Sequence, residues 1–206
     1  MPHREAAQGA IAQRRRDEIV GAALEIFAER GYHATGIADI AAVLNIGHGT
    51  FYRYFRNKRD IVSHVLVHVL ERLNDTIRDE NAAAADTLDE CRAQFARVAE
   101  KLFAVFTEEP ALGRFFFAEA LGVDRDFTRA LTAGLNTFGG VTQAYLANGV
   151  AKGFLRADLD VGVTARSING MILAAAIDAF DSRDPEKVRT RWLAAAPDLI
   201  LRGIKA

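Results

Sequence analysis

Within a short stretch this 206-residue chain gathers His48, Thr50, Tyr52, Arg53 and Lys58, with Gly47 and Gly49 interleaved. Imidazole, hydroxyl, phenol and cationic groups on one short helix are suited to hydrogen bonding with nucleic-acid base edges and phosphates. Arg53 can pair bidentately with guanine, and His48 is the second candidate for a base-edge contact. Thr50, Tyr52, Lys58 and Thr35 are candidates for phosphate contacts. Each of the two glycines costs a helix roughly 1 kcal/mol relative to alanine. Close approach is a gain that fits this cost, because a helix start without side chains lets backbone N–H groups reach a phosphate. Upstream, Arg14, Arg15 and Arg16 open an expected helix, where cations oppose the helix dipole. A phosphate would compensate them, which makes them candidates for salt-sensitive attraction to DNA.

The periodicity around these groups specifies what positions them. Ile37, Ile40, Ala41 and Leu44 recur at steps of three and four, giving a short helix one apolar face. Asn45 ends it, since Asn tolerates the left-handed conformation a tight turn requires. The helix that resumes over Gly47–Phe55 turns Phe51 and Phe55, four apart, toward a core and leaves His48, Thr50, Tyr52 and Arg53 outward. Two short helices so joined make a helix-turn-helix, whose second helix enters a DNA major groove. A preceding helix from about Ala10 to Arg30, stopped by Gly31, carries the buried stripe Ile19, Ala22, Ala23, Ile26 and Phe27. Residues 1–9 are expected to be a frayed arm.

The segment from about Arg14 to Leu66 resembles the DNA-binding domain of the TetR family of bacterial transcriptional repressors. That family runs Thr-Thr-Val-Arg-Asp-Ile-Ala, a turn, then Gly-Thr-Leu-Tyr-x-Tyr-Phe-x-x-Lys. This chain has Thr35-Gly36-Ile37-Ala38-Asp39-Ile40-Ala41 and Gly49-Thr50-Phe51-Tyr52-Arg53-Tyr54-Phe55-Arg56-Asn57-Lys58. Gly36 and Ala38 depart from the pattern by replacing a usual threonine and a frequent arginine. The threonine would cap the helix and touch a phosphate; glycine offers no hydroxyl, so Thr35 becomes the better phosphate candidate. Asp39 can still reach back to the Gly36 N–H, as in a capping box.

Net charge is −1, which excludes a chain that is basic throughout. The first 60 residues hold nine Arg/Lys against seven Asp/Glu, leaving the remainder near −3. A mildly basic head on an acidic body fits DNA binding at one end. Half the residues are apolar and only four are proline, and strand-like alternation is hard to find; the expected class is all-α with about nine helices. The expected division is a DNA-binding domain over 10–57 and a ligand-binding and dimerisation domain over 58–206. The single cysteine, Cys91, cannot form an intramolecular disulfide and reads as a small hydrophobe in a reducing cytoplasm. No apolar signal region and no apolar run approaching 18 residues is read, so a soluble cytoplasmic protein without a membrane partner is expected. His64 and His68 have a metal-compatible spacing, but a third ligand is not evident, so no metal and no cofactor are expected.

Beyond the head, a fourth helix from Lys58 to about Ala84 is long enough to couple the two domains. Further helices are expected over about 86–108, 110–121, 124–153, 162–180 and 185–203, with a kink or break at Pro197. Aromatics concentrate in this body, and the candidate lining of an apolar pocket is Phe103, Phe106, Phe116, Phe117, Phe138, Tyr145, Ile168 and Ile172. Glycines 134, 139, 140 and 149 either loosen the helix over 124–153 or allow close crossing. By the TetR resemblance, the last two helices form a dimer interface, with Ala165, Ala175, Ala176, Ala179, Leu193, Ala196 and Ile200 as its candidates. The resemblance implies a homodimeric repressor on double-stranded, pseudo-palindromic operator DNA, released by a small apolar or aromatic effector. Two alternatives stand beside it: a constitutive DNA-binding regulator or activator without a ligand and, more remotely, a helical enzyme. No catalytic residues are assigned, because a nucleophile–base pair, metal cluster or phosphate loop at credible spacing is absent from the sequence.

Overall fold

The computed structural model describes residues 2–205, with side chains except those of 2–7, 121, 137, 138 and 181. Among the described residues the regular structure is helical: α1 (Pro2–Arg30), α2 (Ile37–Val43), α3 (His48–Tyr52), α4 (Lys58–Ile77), α5 (Leu88–Glu108), α6 (Pro110–Arg114), α7 (Arg125–Ala151), α8 (Val161–Asp181) and α9 (Pro185–Ile204). A π-helical turn, Phe115–Glu119, and a 3-10 turn, Ala120–Gly122, extend α6. One isolated antiparallel pairing joins Leu155 and Lys205. Helix α9 runs through Pro197 without the break that was one of the two expectations there.

The chain folds as two compact units, and their division differs from a cut at position 58. The first comprises residues 1–71 and 111–129, the second residues 72–110 and 130–206. Helices α4 and α7 therefore each contribute to both units.

In the first unit, Ile19, Val20, Ala23, Leu24, Ile26 and Phe27 of α1 are buried, while Ala22 is half-exposed. The π turn places Phe115 against Phe27, ring centroids 6.4 Å apart, and edge-on to Phe127 at 6.3 Å. The 111–129 segment also grips the turn after α1. Glu119 accepts from the Tyr32 N–H at 2.9 Å, and His33 Nε2 lies 2.8 Å from the Gly122 carbonyl. Arg59 at the start of α4 bonds Asp124 at 2.5 and 3.2 Å and stacks over Phe127. The Phe127 N–H first, then Arg59, hold the Asp124 carboxyl below its usual range.

In the second unit, α8 packs on α9 and both pack on α5. Leu146, Leu155, Ala165, Ile168, Leu201 and Ile204 form a buried cluster. Of the α7 glycines, Gly149 is there for close approach: a Cβ would stand 2.5 Å from Leu155 and 2.7 Å from the Phe154 ring. Gly140 meets no such neighbour. Lys152 donates to the Ala83 and Ala85 carbonyls at 2.8 and 2.9 Å and pairs with Asp86, fixing the loop before α5. Burial pushes the Cys91 thiol up to about 11, which keeps it protonated and unreactive.

Among the described helices, Val161–Phe180 within α8 is long and apolar enough to cross a membrane, and 22% of it is buried. The sequence reading had no such run, because Arg166 and Asp178 interrupt it without lowering its mean hydropathy enough. Among the described residues no cluster of three His, Cys, Asp or Glu could hold a metal. His64 instead leans edge-on to Phe55 at 5.3 Å and lies 3.9 Å from Asp60.

Candidate DNA interface and internal cavity

The helix-turn-helix is built by short-range forces. Gly36 caps α2 in an extended conformation, and its N–H donates to Asp39 Oδ2 at 2.6 Å. Asn45, at φ 51°, makes the left-handed turn, and the Ile46 N–H returns to the Ala41 carbonyl at 2.9 Å. Phe51 and Phe55, both buried with centroids 5.7 Å apart, anchor α3 from beneath. His48, Gly49, Tyr52 and Arg53 are exposed above them, Gly47 is exposed at the cap, and Thr50 is half-buried. α3 is shorter than the sequence suggested: it ends at Tyr52, with Arg53 as its C-cap. Gly47 and Gly49 have open space where a Cβ would stand, so packing within the chain does not require glycine at either position. Arg56, absent from the sequence-based candidates, is exposed beyond Phe55; its position immediately after the buried anchor was the available signal.

Three expected phosphate contacts are placed elsewhere. Thr35 is 2% exposed, and its hydroxyl donates to the Gly31 carbonyl at 2.8 Å, so it closes the turn after α1. Lys58 points inward: its Nζ donates to the Tyr32 carbonyl at 2.9 Å and the His33 carbonyl at 3.4 Å, and lies 4.4 Å over the Tyr32 ring. Arg16 lies 5.3 Å over the Phe55 ring and donates to the Tyr54 carbonyl at 3.3 Å, holding the end of the α3 region. Arg14 is exposed, and Arg15 pairs with Glu18 at 2.5 Å. All three arginines lie well inside α1, which is helical from Pro2; the expected frayed arm and the unfavourable dipole position both fall away.

The second unit holds a partly open cavity of about 120 Å³. Its walls come from α5 (Phe95, Leu102, Phe103, Phe106), α7 (Val141, Thr142, Tyr145), α8 (Ile168, Met171, Ile172, Ala175, Ala176) and α9 (Trp192, Leu193, Ala196, Ile200), with Ile77 from the last turn of α4. Five of the expected pocket residues, Phe103, Phe106, Tyr145, Ile168 and Ile172, line it. Phe116 and Phe117 do not: they belong to the π turn in the first unit, ring centroids 5.1 Å apart. The Phe138 side chain lies outside those described.

The same walls correct the expected dimer face. Ala175, Ala176, Leu193, Ala196 and Ile200 line the cavity, Ala165 is fully buried in the core cluster, and Ala179 is buried. The small-residue stripes of α8 and α9 face each other and the cavity. The outward apolar residues are Val163, Leu173, Ile177 and Phe180 on α8 and Leu199 on α9. Hydrophobicity alone does not distinguish the two faces of helices that are apolar on both.

Residues 19–65 match the family model for bacterial regulatory proteins, tetR family. The chain is 25% identical over 159 residues to the fatty acid metabolism regulator protein of Bacillus subtilis, covering 75% of this chain and 78% of that protein. It is 29% identical over 187 residues to the transcriptional repressor KstR2 of Rhodococcus jostii, covering 86% of this chain and 79% of that one. Residues 19–65 are therefore a DNA-binding domain of the TetR type. The structure of FadR from Bacillus subtilis in complex with stearoyl-CoA superposes with a TM-score of 0.72 at 23% identity, covering 91% of this chain and 98% of that chain. FadR from Bacillus halodurans gives 0.75 at 20% identity over 91% and 95%. These two likenesses carry the TetR fold. The relatives matched over most of their length are named a regulator and a repressor.

Proposed function

We propose that the chain is a homodimeric repressor that occupies a pseudo-palindromic operator in the cytoplasm and is released by a small apolar or aromatic effector. The outward face of α3 carries this reading. His48 and Arg53 are assigned to base edges, and Thr50 and Tyr52 to phosphates. Arg14, Arg15 and the exposed Arg56 add salt-sensitive attraction. Glycine at 49 costs helix stability, and neither it nor the N-cap Gly47 has a packing reason inside the chain, which fits a phosphate backbone drawn close to the helix start.

Dimerisation is assigned to the outward stripe of Val163, Leu173, Ile177 and Phe180 on α8 together with Leu199 on α9. Such a symmetric contact gives two heads for two half-sites. The effector is assigned to the cavity. Among the relatives, one structure holds stearoyl-CoA and another protein is named a ketosteroid regulator, both consistent with an apolar skeleton. Helix α4 supplies Lys58 and Arg59 to the head unit and Ile77 to the cavity wall, so a ligand that repacks around Ile77 acts on the helix that carries the head. Release then follows from a higher ligand affinity for the head arrangement that does not fit the operator.

Electrophoretic retardation of the DNA flanking the protein's own gene tests this, with stearoyl-CoA as the first effector probe. Retardation that weakens as salt rises, and is reversed by the probe, is expected. Failure to retard any such DNA sinks the regulator assignment; retardation insensitive to apolar compounds of every class favours the constitutive alternative.

A further inference from the structure

The cavity wall carries charge of one sign. Its ionised side chains are Arg92 and Arg189, and no Asp or Glu is among its lining residues. Burial, the largest cause, raises the Tyr145 pKa, so that phenol is neutral, as are Thr142 and Trp192. A cationic ligand would meet only like charge in this wall, whereas an anion would meet opposite charge.

The two arginines differ in what they are free to do. Arg189 donates from Nε to Glu186 Oε2 at 2.8 Å, and its Nη1 lies 4.0 Å from Glu100 Oε1. Arg92 has no hydrogen-bond or ion-pair partner among the described residues, and Asp89 one turn before it does not supply one. Glu100, beside Arg189, is eight residues beyond Arg92 on α5, about 12 Å along the helix. A single head group therefore meets a single arginine, and the unpaired one is Arg92.

The place of Arg92 in α5 specifies the rest of the ligand. Arg92, Phe95, Ala99, Leu102 and Phe106 recur at steps of three and four and all line the cavity, so they form one stripe with the arginine at its end. Helical side chains lean toward the N-terminus, so the exposed Arg92 reaches away from Phe95, toward the rim of the apolar wall. An apolar wall ending in an exposed cation matches a hydrocarbon body with a charged end.

We infer that the effector is an anionic amphiphile, its hydrocarbon part in the cavity and a terminal carboxylate or phosphoryl group paired with Arg92. This rests on the cavity being the effector site. A planar guanidinium can hold either oxyanion through two parallel hydrogen bonds.

Octanoate, octyl phosphate and 1-octanol share a chain and differ in the head. Dissociation constants for the full-length protein are read from the emission of its single tryptophan, Trp192, which lines the cavity. Water solvates the three heads differently, so the informative quantity is the affinity of each anion relative to octanol in wild type, divided by the same ratio in Arg92→Gln. That quotient is expected to be about three- to tenfold for at least one anion at low salt and to shrink as salt rises. The anion with the larger quotient names the head group. Arg92→Lys, which keeps the charge and loses the fork, is expected to give a smaller quotient than Arg92→Gln. Octanol affinity is expected to be equal in all three proteins. A quotient near one for both anions overturns the inference and leaves the cavity an apolar site. Octanol and anion affinities that fall together in Arg92→Gln also give a quotient near one and overturn it, since Arg92 then only shapes the wall. If no probe alters Trp192 emission or raises the wild-type melting temperature, the effector-site reading fails and the inference falls with it.

Discussion

Lys58→Met separates a lysine that builds the head from one that holds DNA. In the structure its ammonium donates to the Tyr32 carbonyl at 2.9 Å, more weakly to the His33 carbonyl at 3.4 Å, and lies 4.4 Å over the Tyr32 ring. A hydrogen bond from a charged group contributes about 1.5–3 kcal/mol, and a partly exposed cation–π contact about 0.5–1 kcal/mol. The thioether keeps most of the stem packing, so the loss is about 2–3 kcal/mol of head stability. Urea unfolding followed by far-ultraviolet circular dichroism measures it, since the only tryptophan is at position 192, in the second unit. Operator affinity is then measured by fluorescence anisotropy across a salt series. Each phosphate neutralised contributes about 0.9 to the slope of log affinity against log salt, so two phosphate-binding lysines in a dimer would contribute about 1.8. The structure requires the slope to stay at its wild-type value while the unfolding midpoint falls. A slope reduced by about 1.8 with an unchanged midpoint would refute the inward placement of Lys58.

Two further outcomes follow from the geometry. Ile177→Glu places a carboxylate in the outward stripe of α8, between Leu173 and Phe180, and is expected to shift a dimer to monomer by analytical ultracentrifugation with little change in cavity binding; a persistent dimer removes that stripe from the interface. Asp124, its pKa lowered by the Phe127 N–H and Arg59, contributes stability that is complete above the ordinary carboxylate range and is lost as pH falls through the lowered value. Asp124→Asn is therefore expected to destabilise the head at neutral pH, with the gap to wild type closing on acidification; a gap that stays constant into acid contradicts the assignment.

The sequence by itself determined the elements whose causes are local. Periodicity set the apolar faces of α1 and α2, the left-handed tolerance of Asn45 set the turn, and the four-residue spacing of Phe51 and Phe55 set which side of α3 looks outward. It was also enough to bring Phe103, Phe106, Tyr145, Ile168 and Ile172 to one cavity, because in each the residue type and the helical face agreed. Tertiary structure decided what a polar group does once several partners are within reach. Lys58 and Thr35 have the chemistry of phosphate contacts, yet backbone carbonyls of the turn after α1 take both, a competition between residues up to 26 positions apart that no local pattern records. The same holds for α8 and α9, which are apolar on two faces. Only packing determined that Ala175, Ala176, Leu193, Ala196 and Ile200 line the cavity while Ile177 and Leu199 look outward. Local spacing fixes the direction in which a side chain points along its own helix; what stands opposite it depends on how the helices are stacked.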